Sequence, residues 1–162
     1  MKIKRLILLI TSILTIATVC PATAPHETEQ PVRWRMSVRM ESADRGTVTL
    51  RALIEPGWHL YGTELPADGP QPTVFDFKES YGITFTSQLE ANRAATESVD
   101  PMFGSKLSWW ESNVSFTRTF KVNAPDDAGI NVKISFMGCD NTTCLPPRTN
   151  TFSYKITQKA KE

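Results

Sequence analysis

Ile130-Asn131-Val132-Lys133-Ile134-Ser135-Phe136 sets an apolar side chain at every second position, then runs on into Met137-Gly138-Cys139-Asp140-Asn141-Thr142-Thr143-Cys144-Leu145-Pro146-Pro147. A period of two is the spacing at which side chains share one face of a strand, so residues 130–136 read as a β-strand with one buried and one wet face. The strand therefore delivers, at its end, a pair of cysteines. Redox potential and access decide whether such a pair is a staple or a reagent.

The same alternation recurs on the N-terminal side. Trp34, Met36, Val38 and Met40 alternate with Arg33, Arg35, Ser37 and Arg39, and Val48, Leu50, Ala52 and Ile54 alternate with residues that include Thr47, Thr49 and Arg51. Val114, Phe116, Phe120 and Val122 form a further set, in which Arg118 breaks the inward parity. Shorter candidates are His59 to Gly62, Val74 to Phe77, Ile83 to Ser87, Leu107 to Trp110 and Thr151 to Ile156, separated by Gly, Pro, Asn and Asp turn signals. Helical periodicity is nearly absent. About nine strands with short connections predict an all-β chain, an immunoglobulin-like two-sheet antiparallel β-sandwich.

Outside the sandwich the chain divides simply. Met1-Lys2-Ile3-Lys4-Arg5 followed by the apolar run from Leu6 to Ala17 has the charged and apolar regions of a secretory signal, expected over residues 1–22. Residues 23–31 read as a disordered polar leader, residues 32–158 as one domain and residues 159–162 as a tail. Export places the protein in the periplasm, with a membrane attachment only if Cys20 is the lipidated first residue of the mature chain. If Cys20 leaves with the signal, Cys139 and Cys144 remain a matched pair in an oxidising compartment. The formal net charge of +1 supplies no electrostatic reason to expect nucleic acid as a partner.

Two connections stand out. Leu65 to Thr73 contains Pro66, Pro70 and Pro72 and reads as a stiff exposed loop, and Ala91 to Lys106 reads as a loop carrying the large apolar side chains Met102 and Phe103. Apolar residues in a loop usually cover something.

On spacing alone the cysteine pair is equally a staple between sheet and loop or a redox couple. It is not Cys-x-x-Cys, no helix pattern follows that would lower a thiol pKa, and Asp140 beside Cys139 opposes thiolate formation. A zinc site wants four ligands and the imidazoles are only His26 and His59, so neither metal nor other cofactor is expected. Gly57-Trp58-His59-Leu60-Tyr61 reads either as a half-buried strand with Trp58 or Tyr61 in the core, or as a strand whose His59 and Tyr61 lie beside the sulfurs.

Together, Gly57-Trp58-His59-Leu60-Tyr61, Asp100-Pro101-Met102-Phe103-Gly104 and the cysteine motif ending in Pro146-Pro147 resemble the N-terminal periplasmic domain of the thiol:disulfide interchange protein DsbD, in the version of Bacteroidetes-type bacteria with its shorter cysteine spacing. The resemblance runs from Trp34 to Tyr154. It implies an immunoglobulin-like sandwich that takes reducing equivalents from a membrane thiol reductase or thioredoxin-like donor and passes them to periplasmic thiol-disulfide proteins, including disulfide isomerases and cytochrome c maturation factors. It also implies that Cys144 forms the mixed disulfide and Cys139 resolves it, that His59, Tyr61 and Asp100 line the site, and that Met102 or Phe103 caps it. The rival expectation is a non-catalytic envelope protein-binding sandwich with a structural disulfide. This chain departs from the full-length pattern in having neither the transmembrane region nor the thioredoxin-like domain, and in carrying His59 where the family has tyrosine.

Overall fold

The computed structural model describes residues 30–157, so the expected signal, Cys20, His26, most of the leader and the tail lie outside the described residues. The described chain contains β1 (Val32–Met40), β2 (Arg45–Ile54), β3 (His59–Tyr61), β4 (Val74–Asp76), β5 (Ile83–Phe85) and β6 (Glu90–Ala91). It continues through β7 (Thr96–Val99), β8 (Lys106–Trp110), β9 (Val114–Val122), β10 (Ala128–Phe136), β11 (Gly138–Cys139) and β12 (Arg148–Ile156). Every strand pairing among the described residues is antiparallel.

Two sheets form an immunoglobulin-like β-sandwich. One has the order β1-β2-β9-β5 with β6 also on β9, and the other the order β12-β10-β4. The period-two pattern decides what lies between them. Val48, Leu50 and Ala52 of β2 and Ile130, Val132 and Ile134 of β10 are 1% exposed or less and share one core with Trp34, Phe116 and Phe136. Trp34 bridges the layers: its ring lies 5.5 Å from Phe75 of β4, 5.9 Å from Phe116 of β9 and 5.8 Å from Phe136 of β10. Each large side chain so removed from water contributes roughly 1.5–3 kcal/mol, which is why alternation of this length decides the fold. Pro31, expected in the leader, is already buried and accepts the amide of Glu55 at 2.8 Å.

Arg118 does not point a bare charge into the core. Its guanidinium carbon sits 4.1 Å from the ring centre of Phe85 and 5.5 Å from that of Phe77, while Nε donates to the Ser87 carbonyl at 3.0 Å. The broken parity of β9 is thus a cation–π lid over the aromatic edge of the sandwich.

A third sheet, β11-β3-β8-β7, stands at one end. It corrects the sequence reading twice. Ala91 to Lys106 is not one loop: β7 pairs with β8 from Thr96↔Trp109 to Val99↔Lys106, so Met102 and Phe103 sit at the tip of a β-hairpin. Thr96-Glu97-Ser98-Val99 is exposed throughout, an edge strand held by backbone hydrogen bonds, and such a strand has no apolar alternation to read. Leu65 to Thr73 is also not wholly exposed. Thr73 is 1% exposed, its hydroxyl donates to the Tyr61 carbonyl at 2.6 Å and its amide to the Gly62 carbonyl at 2.9 Å.

Candidate functional site

The third sheet has two buried faces, and its short strands sort their side chains between them. Leu60 and Trp110, cross-strand partners, join the sandwich core, whereas Tyr61 and Trp109, the next pair along, belong to a second cluster with Leu107, Met137 and Cys139. Leu65 and Cys144 pack against that cluster from outside. Successive strand residues face opposite ways, so the adjacent tryptophans of β8 are both buried because both faces are covered.

Cys139 and Cys144 form a disulfide with an S–S distance of 1.99 Å. Their surroundings differ. Cys139 lies in β11 and is 0% exposed; Cys144 lies on the returning turn and is partly exposed. Asp140 shapes that turn, its Oδ1 accepting the Thr142 amide at 2.7 Å, the Thr142 hydroxyl at 2.9 Å and the Thr143 amide at 2.6 Å. Those three donors, the Thr142 amide first, hold the Asp140 carboxyl below the usual carboxylate range. The turn closes with the Asp140 amide on the Thr143 carbonyl at 2.9 Å and the Leu145 amide on the Gly138 carbonyl at 3.0 Å.

His59 is the residue opposite Cys139 across the β3–β11 ladder. Its ring lies 4.9 Å from Tyr61 edge-on and 5.8 Å from Trp109, it is 7% exposed, and Nε2 is buried with no hydrogen-bond partner. Burial holds the imidazole below its ordinary value of 6.5, against the opposing pull of Asp100, Glu111 and Asp140. The half-buried reading of this strand fails, since His59, Leu60 and Tyr61 are all buried; His59 lies opposite Cys139 and Tyr61 shares its cluster, as in the other reading.

Asp100 ties the hairpin tip to the sheet. Its Oδ2 accepts the Tyr61 hydroxyl at 2.8 Å, and its Oδ1 accepts the amides of Met102 at 2.8 Å and Phe103 at 3.1 Å. Asp100 is 2% exposed. Burial, then the hydrogen bond to Asp100, raises the Tyr61 phenol above its usual value. The Gly104 amide returns to the Asp100 carbonyl at 2.8 Å with φ at 62°, a left-handed conformation that glycine adopts without the cost of a Cβ.

Of the candidate cap residues, Phe103 stands edge-on to Tyr61 at 6.0 Å and is 38% exposed; Met102 is 41% exposed. Phe103 thus meets the cluster through Tyr61. The sequence reading missed Leu107, Trp109, Met137 and Leu65 as members of the cluster. The usable signal was Trp109-Trp110, since two adjacent bulky apolar residues in a short strand require cover on both faces.

A sandwich that carries one cysteine pair on a two-faced end sheet, one sulfur sunk and the other partly open, is a thiol–disulfide interchange domain. The family model for the thiol:disulfide interchange protein DsbD, N-terminal, matches residues 27–156, and the chain belongs to that family. No curated protein matches the chain. Among solved structures, the N-terminal periplasmic domain of ScsB from Proteus mirabilis is similar at 15% identity and a TM-score of 0.53, over 79% of this chain and 47% of that one. The chain spans about half the length of that ScsB chain. The reduced N-terminal domain of DsbD from Neisseria meningitidis matches at 16% identity over 78% of this chain and 90% of that one, with a TM-score of 0.47. A complex of the DsbD and PilB N-terminal domains from the same organism matches at 14% identity over 83% and 88%, with a TM-score of 0.48. The ScsB likeness speaks to the fold.

Proposed function

We propose that this domain is a periplasmic electron relay in which Cys144 exchanges with partner proteins and Cys139 resolves the mixed disulfide. The observation that carries the reading is the unequal exposure of the two sulfurs, 0% for Cys139 against a partly exposed Cys144. Exchange needs an attacking thiolate to reach a sulfur in line, and only Cys144 offers that access.

In the reducing direction the Cys144 thiolate attacks one sulfur of a partner disulfide, and the partner's other sulfur leaves with the electron pair and takes up a proton. Cys139 then attacks Cys144 Sγ, the bond between Cys144 and the partner breaks, and the partner departs as a dithiol. Two electrons and two protons have passed, and the Cys139–Cys144 disulfide is back. A thioredoxin-like protein or membrane thiol reductase recharges it by the same steps in reverse. The acceptors in this reading are periplasmic thiol proteins that serve disulfide isomerisation and cytochrome c maturation.

The hairpin tip acts as the cap. Phe103 rests on Tyr61 and both tip amides hang on Asp100, so the tip shields the pair from small oxidants and swings aside for a protein surface. Cys139→Ala in the exported protein, followed by thiol quenching of periplasmic extracts, tests the assignment. A covalent adduct through Cys144, dissolved by reductant, is expected. An unmodified Cys144 in every extract would leave the disulfide as a staple and the domain as a binding module.

A further inference from the structure

The imidazole of His59 has no part in the exchange steps above, yet it lies across the ladder from the sulfur that performs the second of them. Directly opposed residues on one face of an antiparallel pair bring their Cβ atoms to about 5 Å, within reach of an imidazole and a thiol. In the disulfide form Nε2 is buried and unpartnered, and the Cys139 sulfur carries no proton to offer it. An orphaned buried ring nitrogen is costly, and in the tautomer that leaves Nε2 unprotonated, reduction of the disulfide creates beside it a buried thiol with a proton to donate.

We infer that His59 is the proton acceptor for Cys139 in the resolving step, and that Nε2 and the Cys139 thiol form a hydrogen-bonded pair in the reduced domain. The inference rests on the relay reading. As Cys139 attacks Cys144 Sγ, its proton passes to Nε2, the electron pair leaves on the partner's sulfur, and the proton held at Nε2 is returned to solvent once the partner has gone. In the opposite direction protonated His59 supplies the proton to Cys139 as it leaves Cys144. The charged and titratable groups around the ring come from every element packed on it: Tyr61 on β3, Asp100 at the hairpin tip, Glu111 after β8 and Asp140 after β11. The three carboxylates favour the imidazolium made during the step, and burial keeps the resting imidazole neutral and ready to accept.

The reduced domain mixed with 5,5′-dithiobis(2-nitrobenzoate) reads both steps from one reagent. The first nitrothiolate release reports attack by the outer thiol and the second reports resolution. His59→Phe keeps an aromatic ring in place, and His59→Gln keeps an acceptor that does not titrate. The ratio of second to first rate at pH 7 is expected to fall at least tenfold in both. In the native chain the second rate climbs at lower pH than in the variants, where it climbs only toward the ordinary thiol range, about 8.5. The equilibrium constant for reduction by glutathione also falls in His59→Phe, a tenfold drop being about 30 mV. An unchanged ratio and pH profile in both variants overturns the inference. Failure of the parent reading looks different: Cys139→Ala then still releases one nitrothiolate from its free Cys144 but captures no protein in periplasmic extracts.

Discussion

The sandwich core and the end cluster are built from the same kind of strand and solve different problems. The large core holds aliphatic and aromatic side chains from both sheets, and its buried unpartnered polar atom among the described residues is Trp34 Nε1, which does not titrate. The small cluster sets a cysteine among Tyr61, Leu107, Trp109 and Met137 and adds His59 and Asp100, two ionisable groups that are hardly exposed. One region stores stability. The other spends some of it to hold chemistry in place, and the boundary between them is the two-faced third sheet, with Leu60 and Trp110 on one side and Tyr61 and Trp109 on the other.

The comparison breaks first on Ile134. This side chain is 0% exposed in the large core, so Ile134→Ala is expected to cost about 2–5 kcal/mol in urea unfolding while leaving the reduction potential where it was. A potential that moved with it would mean that the two regions are one. Asp100→Ala should cost about 2–3 kcal/mol, since the buried Tyr61 hydroxyl and two tip amides lose one acceptor together. Hydrogen exchange should accelerate at Met102 and Phe103 and stay slow along β10. Asp100→Asn keeps an acceptor for the amides and should fall well short of that loss.

Reducing the Cys139–Cys144 bond should cost about 2 kcal/mol, the loop-entropy value for so short a ring, and unfolding should remain a single transition. Two transitions would show that the disulfide holds the end sheet to the sandwich. The smallest effect is acid. The folded-state value of His59 is depressed, so the unfolded chain takes the proton first and stability declines as pH falls below 6.5 toward the folded value. His59→Phe should flatten that part of the curve of thermal midpoint against pH; an identical curve would remove His59 from the account of the cluster.

The large core was legible because β2 and β10 repeat one face over many residues, and each apolar position of that pattern is buried. The end cluster was legible only in pieces. Cys139, Cys144, His59 and Tyr61 were visible as motif residues and Met102 and Phe103 as apolar residues in a loop, but Asp100 came from family resemblance, because no local pattern announces a carboxylate that works through amides two and three positions on. β7 was missed for lack of any apolar face, and β11 because two residues cannot show a period. Trp109 was missed because Leu107 to Trp110 was read only as a short strand, with no cluster assigned to either of its faces. Short elements take their identity from what covers them, and cover is a tertiary fact.

The central claim is that the sunk Cys139 and the open Cys144 form a working redox couple. Equilibrating the domain with glutathione buffers and counting free thiols measures it directly. The account predicts a potential between roughly −120 and −270 mV, the span of proteins that exchange disulfides for a living. A value below roughly −300 mV, where structural disulfides lie, would contradict it.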